Sequence, residues 1–457
     1  MPDSRPPGRE PGSSGRRATA LIRALAALPL AALPVAALVG CAASAAPSAR
    51  VTSELAPAVA AAGVIAAAQG FGPAGPAPAA IGRFRWSVRA SSPLGPRDQP
   101  VAAWAGGQLL EFGGLVDDDS EATSAGAAFS PATGRWRRLA PVPAAAGVNT
   151  EDPSGLSLDP ASAWTGRYLA VANGLVRSCP AQATAACWTG AALYDPAANR
   201  WTTLALPRQL DGLEVSAVTW TGRDIVVGAV TATVLDNDKT QLAVAAYSPA
   251  TRRWQVITPA LPRHHPVAFL DLAAAGGRLF LWSSWDLVTK TKDGFSEHAG
   301  VDVLALNSRG AWRNVTGTWP QGQVVSPPAA TRDGILEPPG QIWCGQLCSP
   351  PDISEPGFFT NPSTLARKTI PAGPIGRVAP AYAWTGDAII AVDQSGSVSG
   401  AGLNIQPGDL ALFNPASSRW SSLPATPGHP QLSVTPAWTG TSLLTLTNAG
   451  RLLAFHS

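Results

Sequence analysis

No stretch of this chain beyond residue 80 carries a sustained helical period, and that absence argues against a helical protein. Long apolar runs are scarce as well. The longest, from about Ala24 to Val39, is too short for a comfortable transmembrane span. A surplus of charge is also missing from the body of the protein. Of 33 basic and 30 acidic residues, Arg5, Arg9, Arg16, Arg17, Arg23, Asp3 and Glu10 fall in the first 41 positions, which leaves 28 of each sign. Zero net charge speaks against nucleic acid and against an electrostatic membrane patch as partners. Motifs of the common enzymes are absent too: there is no Gly-x-Ser-x-Gly elbow, no phosphate-cradling glycine loop and no His-Glu-x-x-His.

What the chain has instead is punctuation and repetition. Gly and Pro number 45 and 44, which suits many tight turns. The stretch Tyr194-Asp195-Pro196 leading to Arg200-Trp201 returns as Phe129-Ser130-Pro131 to Arg135-Trp136, as Tyr247-Ser248-Pro249 to Arg253-Trp254, and as Phe413-Asn414-Pro415 to Arg419-Trp420. Each copy is a hairpin signal: proline presets φ, and the small polar residue before it can bond its own backbone. A second signature precedes each, at Trp164-Thr165-Gly166, Trp220-Thr221-Gly222, Trp384-Thr385-Gly386 and Trp438-Thr439-Gly440, with Trp104-Ala105-Gly106 as a variant. Counting Ala274 and Ala330 at the same position, the steps are 60, 56, 54, 56, 54 and 54 residues. A fixed period of this size means stacked supersecondary units. In the second unit, strands a to d are expected to end at Trp164 and to span Tyr168–Ala172, Gly190–Tyr194 and Trp201–Leu204.

The N-terminus reads as an address. A basic n-region and an apolar run close on Leu38-Val39-Gly40-Cys41, which resembles the lipobox of bacterial lipoproteins. Residues 1–40 are thus expected to be a signal peptide, Cys41 the lipidated residue and 41–80 an Ala/Pro-rich tether. The body, 81–457, would sit on the outer face of the bacterial cell membrane. Arg16-Arg17 leaves Sec and twin-arginine export both open. In an oxidising compartment the remaining cysteines are expected to form local disulfides, Cys179–Cys187 and Cys344–Cys348.

An apolar b strand ending in Gly-Gly (Leu109 to Gly114), an aromatic-Pro turn, a Trp, and Leu139 to Pro143 together resemble a kelch repeat. The resemblance covers about Gly82 to Ser457 and implies an all-β fold. It would be a seven-bladed β-propeller of four-stranded antiparallel blades, the architecture of the galactose oxidase central domain. The fifth unit is degenerate, with Arg367 at the Trp position. The last unit stops at Ser457 without its d strand, and Gly82-Arg83-Phe84-Arg85-Trp86 supplies one from the other end, so the N-terminal strand is expected to close the last blade. Eleven of the 16 Trp occupy the two repeat positions and are expected to pack between blades.

In propellers the b–c and d–a loops share one face and carry most ligand contacts in kelch relatives. Here they hold the most polar stretches, and the candidate ligand-binding residues are Asp117, Asp119, Glu151, Asp152, Asp211, Glu214, His264, His265, Trp285 and His298. Lys290 to His298 is read as part of such a loop. The acidic runs lack the ligand spacing of a calcium loop, and no metal or cofactor is expected. Galactose oxidase chemistry does not carry over, because Tyr168, Tyr194, Tyr247 and Tyr382 occupy strand positions. The expected function is binding of a protein, peptide or glycan by a monomer. An envelope enzyme or a mutarotase-like, sugar-processing propeller is the alternative.

Overall fold

The computed structural model describes residues 84–456 except 98–99, 117–120, 144–160, 174–189, 212, 232–240, 262–266, 292–293, 308–309, 317–322, 325–327, 332–333, 338–340, 343–356, 372–380, 393–408, 431 and 433–435. The signal-peptide and tether segments, Cys41, Cys179, Cys187, Cys344 and Cys348 lie outside the described residues. Runs of Val, Leu, Ile and Ala between the Gly- and Pro-bearing turns pair as seven four-stranded antiparallel sheets.

Blade 1 is Val101–Ala105, Gln108–Phe112, Gly126–Ser130 and Arg135–Leu139; blade 2 is Ala161–Trp164, Leu169–Asn173, Gly190–Asp195 and Arg200–Leu204. Blade 3 is Glu214–Trp220, Ile225–Val230, Leu242–Ser248 and Arg253–Val256; blade 4 is Val267–Ala275, Arg278–Thr291, Gly294–Leu306 and Trp312–Asn314. Blade 5 is Ala329–Ala330, Ile335–Glu337, Gly357–Thr360 and Arg367–Ile370; blade 6 is Ala381–Trp384, Ile389–Val392, Leu410–Asn414 and Arg419–Leu423. Blade 7 takes Ala437–Trp438, Ser442–Leu446 and Leu452–His456 from the chain end and Arg85–Val88 from its beginning, with Trp86 opposite Phe455.

The innermost strands touch in succession and the last touches the first, so the sheets form a closed seven-bladed β-propeller. Among the described residues the core divides into seven apolar clusters, one at each blade junction. Burial of both faces explains why the b strands are mostly apolar, as in Ile225–Val230, whose six residues are all buried.

Both repeat signatures have a physical cause. In Trp-Thr-Gly, the Thr165 hydroxyl accepts the Tyr168 N–H at 2.8 Å and donates to the Tyr168 carbonyl at 3.0 Å, while Gly166 supplies φ 86°. Thr221 with Asp224 and Thr385 with Ala388 repeat these bonds. In five of the seven blades the Trp of the outer strand reaches the preceding blade. Its indole N–H donates to a carbonyl just beyond that blade's outer strand: Trp86 to Pro424, Trp136 to Ala90, Trp201 to Ala140, Trp312 to Ile257 and Trp420 to Pro371, at 2.6–3.0 Å. The tryptophans therefore staple blade to blade.

Blade 4 departs from expectation. Lys290–Thr291 and Gly294–His298 are strand rather than loop: strands b and c stay paired as far as Thr291 opposite Gly294.

Candidate functional site

Antiparallel order within each blade sends the b–c and d–a connections out at one end and the a–b and c–d turns out at the other. The two ends differ in length of chain. The a–b and c–d turns take two to six residues, whereas the d–a connections take nine to 21 and the b–c connections up to 19. A two-residue ladder, Gln323 opposite Ile342 and Val324 opposite Gln341, ties the d–a connection after blade 4 to the b–c connection of blade 5, so the two loop classes do share a face.

Of the expected ligand residues, Asp117, Asp119, Glu151, Asp152, His264 and His265 lie outside the described residues. Asp211 is exposed and follows the 3-10 turn Arg208–Leu210. Glu214 opens strand a of blade 3, opposite Val230. Trp285 and His298 stand on the blade 4 hairpin, opposite Gly300 and Leu287 respectively. The Trp285 indole lies over Gly300, where any Cβ would collide with it. Asp211, Glu214, Trp285 and His298 thus belong to the loop-bearing side of blades 2 to 4.

The structure adds buried ionic groups that sequence reasoning passed over. Glu111 and Glu337 occupy the same repeat position, strand b of blades 1 and 5, and each is 1% exposed. Each faces the preceding blade and is met by an arginine and a hydroxyl. Glu337 accepts from Arg367 Nη2 at 2.7 Å and from the Thr360 hydroxyl, and the Trp282 indole N–H of blade 4 approaches at 3.5 Å. Glu111 accepts from the Ser92 hydroxyl at 2.5 Å, with Arg97 Nε 3.5 Å away. Arg97 also donates to the Gly113 and Leu94 carbonyls, locking the segment that joins blade 7 to blade 1. Burial pushes both glutamates above the usual carboxylate range, and their hydroxyl and arginine partners pull against it. Arg367 stands where other blades carry the stapling Trp. The one legible hint of this network was that substitution.

Asp271 is a different case. It sits mid-way along strand a of blade 4, the inner ring of the propeller, paired in register with Trp282. Other blades put Val101, Ala161, Ala217 and Ala381 at this position. Burial alone pushes its carboxyl up to about 7, and among the described residues no cation pairs with it. A carboxyl of this kind exchanges a proton at neutral pH, which is the chemical minimum for acid–base work. No protein-family model and no curated protein matches the chain.

Proposed function

We propose that this chain is an exported, lipid-anchored, kelch-like propeller that binds a protein, peptide or glycan at the outer face of the bacterial cell membrane. The binding surface is its b–c/d–a face. The observation that carries this reading is the asymmetry of connections: nearly all the long, polar loops leave from one end of a rigid ring, and the other end is trimmed to tight turns. Lipidation of Cys41 and disulfides Cys179–Cys187 and Cys344–Cys348 complete the proposal.

The test is retention of the full chain on immobilised envelope polysaccharide and on immobilised envelope protein. A variant in which residues 287–298 give way to a two-residue turn shortens the blade 4 hairpin at the proposed face, and Trp282 and Val301, buried nearer the core, stay in place. We expect retention on one matrix and at least a tenfold loss in the variant at unchanged melting temperature. Equal retention of both proteins would move the function away from this part of the face.

Asp271 favours a second reading, an envelope enzyme or a mutarotase-like, sugar-processing propeller. If Asp271→Asn abolishes turnover of a reducing sugar while leaving retention intact, the inner ring of blade 4 is a catalytic site distinct from the binding face.

A further inference from the structure

The seven outer strands share a feature that packing does not require. Together they carry ten Arg or Lys and no Asp or Glu, in a body whose 28 basic and 28 acidic residues sum to zero. Cations on a free sheet edge keep copies of the ring from pairing edge to edge. Their uniform sign also defines the complement: an acidic strand.

That complement has a place to lie between blades 2 and 3. There a groove of about 780 Å³ runs along the whole outer strand of blade 2, Arg200–Leu204. This strand ends its sheet, so one row of its backbone N–H and C=O groups has no strand beside it. Arg200 begins the groove, Arg167 enters from the a–b turn of blade 2 and Arg252 from the c–d turn of blade 3; all three are exposed. Among the described residues none of the three guanidinium groups has an ion-pair partner. Arg167 lies 4.8 Å over the Tyr168 ring, which holds it toward the groove wall. The one acid in the lining, Asp195, is occupied by its own turn, accepting the N–H groups of Ala197 and Ala198 at 3.0 and 3.2 Å. Leu193, Trp201, Leu204, Pro249 and the buried Tyr247 give the lining its apolar part, and Thr202 and Thr203 add hydroxyls along the strand.

We infer that this groove takes an extended acidic peptide segment as a fifth strand on blade 2, its carboxylates on Arg167, Arg200 and Arg252 and its apolar residues toward Leu204 and Tyr247. Backbone pairing supplies affinity that any sequence shares, and the arginines select for acid, since guanidinium and carboxylate match two bonds at a time. The surface is separate from the b–c/d–a face, being built on the opposite turns and the outer wall.

Fluorescence anisotropy of a labelled dodecapeptide of alternating Glu and Val, titrated with the full chain, tests it. We expect saturable binding that weakens as salt is raised. Binding should fall at least tenfold in the Arg167→Gln, Arg200→Gln, Arg252→Gln variant, and the Lys/Val counterpart should not bind. A Glu/Val peptide N-methylated at alternate residues keeps its charge and loses its strand edge, so it should bind at least tenfold more weakly to the unaltered protein. Equal binding of the methylated peptide would overturn strand addition. Full displacement by inorganic polyphosphate at lower charge concentration, or no saturable binding at all, would overturn the acidic-peptide assignment.

Discussion

Asp271 shows what one residue can impose on a repeat. Its strand position is apolar in blades 1, 2, 3 and 6. In blade 4 an aspartate stands there, half-buried with its carboxyl shielded, and among the described residues no cation pairs with it. The folded state therefore holds its proton to about pH 7, whereas an unfolded aspartate releases it near 4. Between these values the native protein binds more protons than the unfolded chain, so this group's contribution to stability is complete below pH 4. It is lost as pH rises through 7. Asp271→Asn removes the titration while keeping the shape. Some of the side chain's surface stays open to solvent although its carboxyl is crowded, so the effect is less than the full shift implies, on the order of 2 kcal/mol. Urea melts at pH 5 and pH 8 are the check: the variant should gain on the parent at pH 8 and keep only a smaller part of that advantage at pH 5. A constant difference across the range would mean that Asp271 does not titrate there.

At the scale of strands and turns, the stapling tryptophan is the unit of assembly. Trp201 packs its ring 4.9 Å from Phe112 of blade 1 and 5.0 Å from Tyr194 of its own blade, and bonds the Ala140 carbonyl at 3.0 Å. Removing the ring empties a junction between two blades, and Trp201→Ala should cost about 3 kcal/mol. Trp201→Phe, which keeps most of the ring and loses the bond, should cost about 1 kcal/mol. Denaturant melts that fail to separate the two variants would show that the ring does not hold the junction. These staples are also why the fold could be read from the sequence: aromatic, turn and Trp recur at fixed spacing because most junctions need the same three parts, blade 5 with Thr360 and Arg367 being an exception. The blade 4 hairpin was hidden by composition, since Lys290-Thr291-Lys292-Asp293 is as polar as any loop. The buried carboxylates were hidden for another reason. Glu111 and Glu337 are single residues in apolar strands, and only the fold reveals that Arg97 and Arg367 come to meet them.

The whole ring depends on where it is fastened. Four strands of blade 7 come from chain segments more than 300 residues apart, and His456 sits at the seam. One ring nitrogen bonds the Ser442 hydroxyl of strand b at 2.8 Å; the other meets Ser87 at 2.8 Å and Arg89 at 3.0 Å, both from the N-terminal segment. An arginine N–H can only donate, so the nitrogen facing Arg89 accepts, and the imidazole is neutral with its proton toward Ser442. Burial first, then the Arg89 and Arg85 charges, lower its proton affinity. The sign is opposite to that of Asp271. His456 contributes to stability above pH 6.5, its ordinary value, and that contribution is lost as pH falls through its lowered folded pKa. Protonation would set a third cation between two arginines and cost the Arg89 bond. Acid should therefore loosen the seam before the other six blades. Hydrogen exchange resolved along the chain checks this: from pH 7.5 to pH 5, opening rates corrected for intrinsic exchange should rise in 85–88 and 452–456 and stay level in 225–230. In His456→Gln, which keeps a hydrogen-bonding side chain and cannot take a proton, the acid-dependent rise should vanish. If blade 3 opens as readily as blade 7, or the Gln variant still opens in acid, the fastening of the ring does not lie with this histidine.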